Sequence, residues 1–171
     1  LIDLSTGEVL LDKNSEEKTY PSSMTKIMTA LMAFEKIKDG TLSMDQEFLI
    51  SKKAWKMGGS KMFIEVDKKV KVSDLLLGVV VQSGNDASIA IAEGISGSEE
   101  IFALEMNNLA KKIGLTNSNF VNSSGWPNDN HYTTAKDLAK IAEYTLNEHP
   151  KLYEMYAIAE FTYNGIKQDN R

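Results

Sequence analysis

Apolar side chains recur with a helical period in the segment that follows Pro21. They lie three or four positions apart, at Met24, Ile27, Met28, Leu31 and Met32. This spacing places the apolar side chains on one face of an α-helix. Pro21 and Ser22 suit the entry to a helix, with Ser22 as a candidate N-cap, and Gly40 suits its end. The pattern therefore predicts a helix from about residue 23 to residue 38.

The rest of the pattern predicts four more helices and three strands. The helices are expected near residues 73–82, 86–95, 98–113 and 134–147, with Ser73, Ser98 and Thr133 or Thr134 as N-caps and Gly114 as a stop. Near the ends of the chain, residues 2–4 and 9–11 favour a hairpin and residues 157–163 favour a strand. The segment after Gly40 reads as a polar loop region. Helices between flanking strands predict a mixed α/β (α+β) fold, in which an antiparallel sheet carries a helical subdomain and the cleft between them holds the reactive groups.

The composition fits a single domain with a packed core. The chain has 171 residues, of which 42% are hydrophobic. Its net charge of −5 argues against nucleic acid as a partner, because binding phosphates requires clustered lysine and arginine. The longest apolar run, Leu75–Val81, has seven residues, whereas a membrane-spanning helix needs roughly 20.

The sequence predicts no metal site and no cofactor. The absence of cysteine excludes disulfides and thiolate ligands. The two histidines, His131 and His149, lie 18 positions apart without a close pattern of carboxylates. Both are expected to be ordinary structural residues. Trp55 and Trp126 are expected to pack in the core, and the alternative is that they line the wall of the cleft.

Candidate chemistry begins with Ser23 and Lys26, at the start of the first predicted helix. Side chains three positions apart on a helix are neighbours, so the Lys26 amine can approach the Ser23 hydroxyl. A lysine can take the proton of a serine only when the lysine is neutral, and burial can lower its pKa far below the unperturbed value of about 10.4. Ser15 and Lys18 have the same spacing, but they lie in a polar stretch without a helical frame.

A second candidate element is Ser83-Gly84-Asn85. It interrupts a strongly apolar run, which places its polar side chains in the interior. A second hydroxyl there could relay a proton, and the Asn85 amide could hold a substrate backbone. The alternative is a plain turn between two helices, with Asn85 as a cap.

The two elements together resemble a known family. S-x-x-K followed by S-D-N and K-T-G marks class A β-lactamases and penicillin-binding proteins. The chain is similar to the low-molecular-mass penicillin-binding proteins that act as serine-type D-Ala-D-Ala carboxypeptidases. The segments that carry this resemblance are residues 2–10, 20–29, 58–63, 82–88, 113–118 and 131–135.

The resemblance implies roles, partners and a location. Ser23 would be the acylated nucleophile, Lys26 the general base, Ser83 a proton relay and Asn85 a substrate anchor. The implied partners are a peptidoglycan stem peptide ending in D-Ala-D-Ala and β-lactam antibiotics. The implied place is extracytoplasmic, in the bacterial periplasm or on the outer face of the cytoplasmic membrane. Peripheral membrane association would depend on a segment outside this sequence.

The third element of the family pattern does not occur in this sequence. No Lys-Thr-Gly or Lys-Ser-Gly is present. We therefore expect residues 1–171 to be part of a penicillin-binding catalytic domain of the β-lactamase/transpeptidase-like fold, incomplete at both ends, with the third motif outside the chain.

Two other functions remain open at this stage. A class A β-lactamase would share the first two motifs, but it uses a glutamate for deacylation. Between Phe120 and Tyr132, where the resemblance places that residue, there is no glutamate, and the second element reads Ser-Gly-Asn. The other alternative is a non-catalytic cell-wall binding protein of the same fold, which the missing third element keeps open.

Overall fold

The chain forms seven α-helices and two small antiparallel sheets within residues 1–170, the part that this computed structural model describes. The helices are α1 (Thr25–Lys38), α2 (Lys52–Lys56), α3 (Val72–Val80), α4 (Asn85–Ser96), α5 (Glu99–Lys112), α6 (Ala135–Glu148) and α7 (Pro150–Tyr153). The strands are β1 (Glu47–Leu49), β2 (Lys69–Lys71), β3 (Glu160–Tyr163) and β4 (Ile166–Asp169). Turns of 3-10 helix lie at Ser22–Met24, before α1, and at Glu154–Ala157, after α7. The presence of both helices and strands, with the strands paired antiparallel, confirms the predicted fold class.

Helix α1 packs against four of the other six helices. It contacts α3, α4, α5 and α6, and Met28, Leu31 and Phe34 on it are fully buried. Full burial of one such side chain contributes about 1.5–3 kcal/mol to folding. Of the positions in the predicted period after Pro21, Met28, Leu31 and Met32 face the core and Ile27 is partly buried. Met24 is an exception, because it lies in the 3-10 turn before α1 and is exposed.

The two sheets lie beside this helical core. In β1 and β2, which pair antiparallel, Phe48 and Val70 are buried while their neighbours are exposed, as expected for a sheet with one solvated face. The hairpin of β3 and β4 turns at Asn164 and Gly165, with φ values of 47° and 75°. Positive φ at both positions is what a tight two-residue hairpin turn requires. The predicted N-terminal hairpin is present as one antiparallel bridge between Ile2 and Val9.

Several predicted boundaries are confirmed and others are wrong. Ser98 and Thr134 cap α5 and α6, since their hydroxyls accept from the Ile101 and Asp137 N–H groups. Ser73 and Ser22 do not cap. Ser73 lies inside the first turn of α3, after the N-cap Lys71, because the chain enters this helix directly from β2.

Two predicted assignments between and after the helices also need correction. The predicted strand at 157–163 shortens to 160–163, because the preceding residues close a 3-10 turn. The predicted polar loop after Gly40 holds β1, α2 and β2, whose three to five residues are too few to show a period.

Among residues 1–170, no helix has both the length and the apolar character needed to cross a bilayer.

Gly94 on α4 provides a test of core packing, because a Cβ at this position would overlap the ring of Phe48. In an open helix, glycine to alanine would stabilise by about 1 kcal/mol. Overpacking against a buried ring costs about 1–3 kcal/mol. We expect Gly94→Ala to lower the free energy of unfolding by about 1–2 kcal/mol in urea titrations. In a Phe48→Leu background the same change should cost less, and an equal cost in both backgrounds would contradict the contact.

Candidate active site

Ser23 and Lys26 lie side by side at the start of α1. The Lys26 Nζ donates to the Ser23 Oγ at 3.1 Å and to the Ser124 backbone carbonyl at 2.8 Å. Lys26 is only 4% exposed, whereas Ser23 is open to solvent. The Ser23 hydroxyl is therefore accessible, and the amine beside it is withdrawn from water and fixed by a second hydrogen bond. This is the arrangement that proton transfer from a serine to a lysine requires.

The other Ser-x-x-Lys sequence does not form such a pair. The Ser15 Oγ donates to Asp12, and the Lys18 Nζ lies 4.2 Å from the centre of the Tyr132 ring. Both groups belong to the surface of the molecule.

The loop Ser123–Gly125 is held against α1 by side chains of that helix. The Thr29 Oγ1 donates to the Ser123 carbonyl at 2.6 Å, one residue before the carbonyl that binds Lys26. On its other side, Ser123 donates from its N–H and its hydroxyl to the Glu99 carboxylate, at 3.0 and 2.7 Å. The Lys26 amine is therefore positioned by a loop that is itself fixed by hydrogen bonds to Thr29 and to Glu99.

The same loop touches the turn that carries Ser23. Gly125, with φ +79°, lies so close to the Ser22 backbone carbonyl that a Cβ would overlap it. Ser22 itself has a φ of 49°, in the left-handed region that non-glycine residues rarely adopt. Strained residues of this kind persist where the surroundings hold them, and they concentrate at functional sites.

His131 forms a buried hydrogen bond with Thr25, the residue that follows this turn. Its Nδ1 accepts from the Val121 N–H at 3.1 Å, so its proton is on Nε2, which donates to the Thr25 Oγ1 at 2.8 Å. The ring packs edge-on against Phe120, with centroids 5.7 Å apart. Burial lowers the pKa of His131 to about 4. The imidazole is therefore neutral near pH 7, where its one proton holds Thr25.

We expect this histidine to make the protein acid-sensitive. Because the unfolded chain binds the proton near pH 6.5 and the folded protein only near pH 4, the free energy of unfolding should fall as the pH drops between these values, by about 2 kcal/mol. His131→Gln keeps an N–H donor but does not titrate. Urea unfolding at pH 7 and pH 4.5 should therefore show a larger loss for the parent protein than for this variant. Equal losses would mean that His131 carries no such penalty.

Ser83 lies in the same cavity as the serine and lysine pair. This cavity has a volume of about 460 Å³ and is lined by Ser23, Lys26 and Ser83 together with Tyr156 and Asn170. Like Ser22, Ser83 is held at positive φ, at 54°. The structure therefore brings together three of the four predicted site residues.

Asn85 is tied to a neighbouring loop. Its Nδ2 donates to the Gly58 carbonyl at 2.8 Å, and its N–H donates to the Ser60 carbonyl at 2.7 Å. It is not among the residues that line the cavity of Ser23. The Gly58-Gly59-Ser60 segment is thus bound to the start of α4 on this side.

Asp86, which follows Asn85, fixes the continuation of that loop. Its fully buried carboxylate accepts from the N–H groups of Met62, Phe63 and Ile64 at 3.0–3.3 Å. Sequence reasoning missed this residue, although an aspartate in a short polar stretch between two apolar runs is a signal for a buried acceptor.

One further residue of the site, Tyr156, was not predicted from the sequence. Tyr156 lines the cavity, and its hydroxyl is buried without a hydrogen-bond partner within residues 1–170. This burial raises the pKa of Tyr156. Trp126, predicted to pack in the core, is 48% exposed, and Trp55 is 41% exposed, so that prediction is wrong for both. Trp126 instead lies on Gly58 and Gly59.

The chain is similar to known proteins along its whole length. A family model described as D-alanyl-D-alanine carboxypeptidase, peptidase S11, matches residues 1–171. The D-alanyl-D-alanine carboxypeptidase DacF of Bacillus subtilis is 42% identical over 170 residues, which are 99% of this chain and 42% of that protein. The chain thus spans about two fifths of the length of this relative.

Solved structures show the same relationship. The D-alanyl-D-alanine carboxypeptidase DacD from Francisella tularensis superposes with a TM-score of 0.94 at 40% identity, over 99% of this chain and 41% of that one. Penicillin-binding protein D2 from Listeria monocytogenes, in its ampicillin-bound form, gives a TM-score of 0.85 at 26% identity, over 99% of this chain and 69% of that one. A family match over every residue, with relatives of this identity and the same fold, means that the chain belongs to the D-alanyl-D-alanine carboxypeptidase family, peptidase S11.

Proposed function

We propose that the protein containing this chain is a serine-type D-alanyl-D-alanine carboxypeptidase, which removes the terminal D-alanine from peptidoglycan stem peptides. The observation that carries the proposal is the contact at 3.1 Å between the buried Lys26 amine and the exposed Ser23 hydroxyl. Family membership supplies the substrate class. Residues 1–171 would be part of the penicillin-binding catalytic domain, and the Lys-Thr-Gly element would come from outside them.

The proposed reaction has two halves. The Ser23 Oγ attacks the carbonyl of the penultimate D-alanine and gives its proton to Lys26, and the C–N bond then breaks. The leaving amine of the terminal D-alanine takes up a proton, which Ser83 relays from Lys26. Water then cleaves the acyl ester on Ser23 and restores the hydroxyl. Asn85 would hold the substrate backbone next to this carbonyl.

We further propose that β-lactams acylate Ser23 and leave slowly. The ampicillin-bound Listeria homologue supports the first part. For the second, the acidic group bound to the loop after Phe120 is Glu99, which is engaged by Ser123 and by the Lys53 amine at 2.9 Å. It is not among the residues lining the cavity of Ser23. Among residues 1–170, therefore, no glutamate lines the cavity of Ser23, where a class A β-lactamase would use one to activate water.

The substrate class also implies where the protein acts. We propose an extracytoplasmic location in a bacterium, in the periplasm or on the outer face of the cytoplasmic membrane, because peptidoglycan lies there. Any peripheral association with the membrane would come from residues outside this sequence.

The direct test uses the complete natural polypeptide that contains residues 1–171. Incubation with a peptide ending in D-Ala-D-Ala should release D-alanine. Penicillin should add one adduct that maps to the Ser23 peptide by mass spectrometry and persists long after mixing. Ser23→Ala should abolish both results, whereas Ser15→Ala, in the surface copy of the same pattern, should leave both intact.

Three outcomes would contradict the proposal in different ways. Full activity in Ser23→Ala would mean that another group is the nucleophile. Loss of the adduct at rates near the enzyme median of about 10 s⁻¹ would favour a β-lactamase. Absence of both adduct and D-alanine release in the parent protein would favour a non-catalytic cell-wall binding protein.

A further inference from the structure

Gln82, the residue directly before Ser83, ties the Ser83 turn to the hairpin of β3 and β4. Its side-chain amide donates from Nε2 to the backbone carbonyl of Gln168 in β4, at 3.1 Å. Gln82 is 1% exposed, so this hydrogen bond is made away from water. A buried amide donor that loses its acceptor is costly to the fold, and the bond therefore holds the backbone next to Ser83 against the hairpin.

Gln168 connects the same hairpin to the loop 58–61. Its Nε2 donates to the Lys61 carbonyl at 3.1 Å, while its own carbonyl accepts from Gln82. Its place in the molecule is set by the hairpin, because Gln168 pairs with Phe161 across the two strands. One residue thus links two segments that are far apart in the sequence.

These contacts close a ring with those of Asn85. The Asn85 backbone N–H and side-chain amide donate to carbonyls of the loop 58–61, at 2.7 and 2.8 Å. The path from Ser83 through Asn85, the loop and Gln168 therefore returns to Gln82, which precedes Ser83. Each member of such a ring is held from two sides, and the hydrogen bonds support one another.

Ser83 depends on outside support, because its backbone conformation is an unfavourable one. Its φ of 54° lies in the left-handed region, which a serine adopts only where the surroundings hold it. Ser83 also shares a cavity with Ser23 and Lys26. A hydroxyl relays a proton only while it stays within hydrogen-bond distance of both the donor and the acceptor. The position of this one residue therefore matters for the proposed chemistry.

We propose that Gln82 and Gln168 are positioning residues, which hold the Ser83 hydroxyl where it can relay a proton from Lys26 to the leaving amine. The proposal rests on the proposed carboxypeptidase function and deepens it. Neither glutamine is among the residues that line the cavity of Ser23. Both act through the ring of hydrogen bonds, and thus through Ser83.

The test is a double-mutant cycle in the complete natural polypeptide, with Nα,Nε-diacetyl-L-Lys-D-Ala-D-Ala as the substrate. Gln82→Met keeps a side chain of similar size but removes the donor. Because a displacement of about 1 Å costs on the order of 100-fold, and the rest of the ring limits the movement, we expect kcat to fall about tenfold. KM should stay within about twofold of the parent value. In a Ser83→Ala background, which has no hydroxyl to position, Gln82→Met should change kcat less than about twofold.

A second variant and a control accompany the cycle, and all rates are normalised to the folded fraction from urea unfolding. Gln168→Met opens the ring at Lys61 from a side chain that is only partly buried, and it should lower kcat in the same way. Gln46→Met is the matched control, since Gln46 is exposed and its side chain has no hydrogen bond within residues 1–170. It should keep the parent kcat and KM.

Two results would overturn the positioning role alone. The first is an equal loss of kcat from Gln82→Met with and without the Ser83 hydroxyl, and the second is the parent kcat in both Gln82→Met and Gln168→Met. If the parent protein released no D-alanine, the carboxypeptidase function itself would be wrong. The cycle is then measured as the rate of acylation by penicillin, since the β-lactam nitrogen also takes up a proton when its ring opens. An effect of Gln82→Met that persisted there in the Ser83→Ala background would likewise overturn the proposal.

Discussion

Lys26→Arg is expected to slow the acylation of Ser23 by a β-lactam about 100- to 10,000-fold, because general base catalysis typically contributes about 10²–10⁴ to a rate. The variant keeps the positive charge but cannot supply a neutral base, since a guanidinium does not lose its proton in this pH range. The larger planar group must also fit where Lys26 is 4% exposed and bonded to the Ser124 carbonyl.

The measurement is the rate of adduct formation by mass spectrometry, normalised to the folded fraction from urea unfolding. This correction matters because Lys26 is buried and the variant will lose stability. Lys18→Arg is the matched control, since Lys18 belongs to the other Ser-x-x-Lys sequence and lies on the surface. It should acylate normally. Acylation of Lys26→Arg within tenfold of the parent rate would show that Lys26 acts as a charge and that another group takes the proton.

The Ser23 and Lys26 contact was predictable because it is local. Both side chains belong to one helical turn, and the apolar period after Pro21 fixes that turn in the chain. The longer helices were predictable for the same reason, since their apolar positions repeat over several turns. The choice between this pair and Ser15 with Lys18 also followed from the local frame.

The parts of the site that the sequence did not reveal are contacts between distant segments. The Thr25 and His131 hydrogen bond joins residues 106 positions apart, and the Lys26 contact with Ser124 joins residues 98 apart. Periodicity carries no information on such pairings. Likewise, a histidine with a structural role and one that supports a nucleophile look alike in the sequence, and only the Thr25 partner distinguishes them.

The sequence also failed to predict the short elements and the exposure of the tryptophan rings. β1, β2 and α2 have three to five residues, so neither a period of 2 nor one of 3.6 can be recognised in them. Trp126 was assigned to the core because large apolar side chains are usually buried. Its ring lies instead between the Gly58-Gly59 backbone and open cavity, a position that depends on two loops meeting.

Gly125→Ala is expected to have the second large effect, because Gly125 lies where the loop Ser123–Gly125 contacts the turn that carries Ser23. A Cβ at Gly125 would overlap the Ser22 carbonyl, which is backbone and cannot rotate away. The φ of +79° adds the cost of a left-handed alanine, about 1–2 kcal/mol. Together these predict a loss of more than about 3 kcal/mol in the free energy of unfolding.

The overlap can be relieved in two ways. Either the turn that holds Ser23 is displaced, or the loop moves away and the hydrogen bond between Lys26 and the Ser124 carbonyl is lost. A displacement of about 1 Å in a reacting group costs on the order of 100-fold in rate, so the folded fraction of Gly125→Ala should be acylated by penicillin at least about 100-fold more slowly. Gly97→Ala is the control, since Gly97 has the same φ of +79° at the end of α4 with nothing within 4 Å of its Cβ position. It should lose about 1–2 kcal/mol and acylate at the parent rate. If the two variants matched in stability and in acylation, the close approach of Gly125 to Ser22 would have no part in holding Ser23 in position.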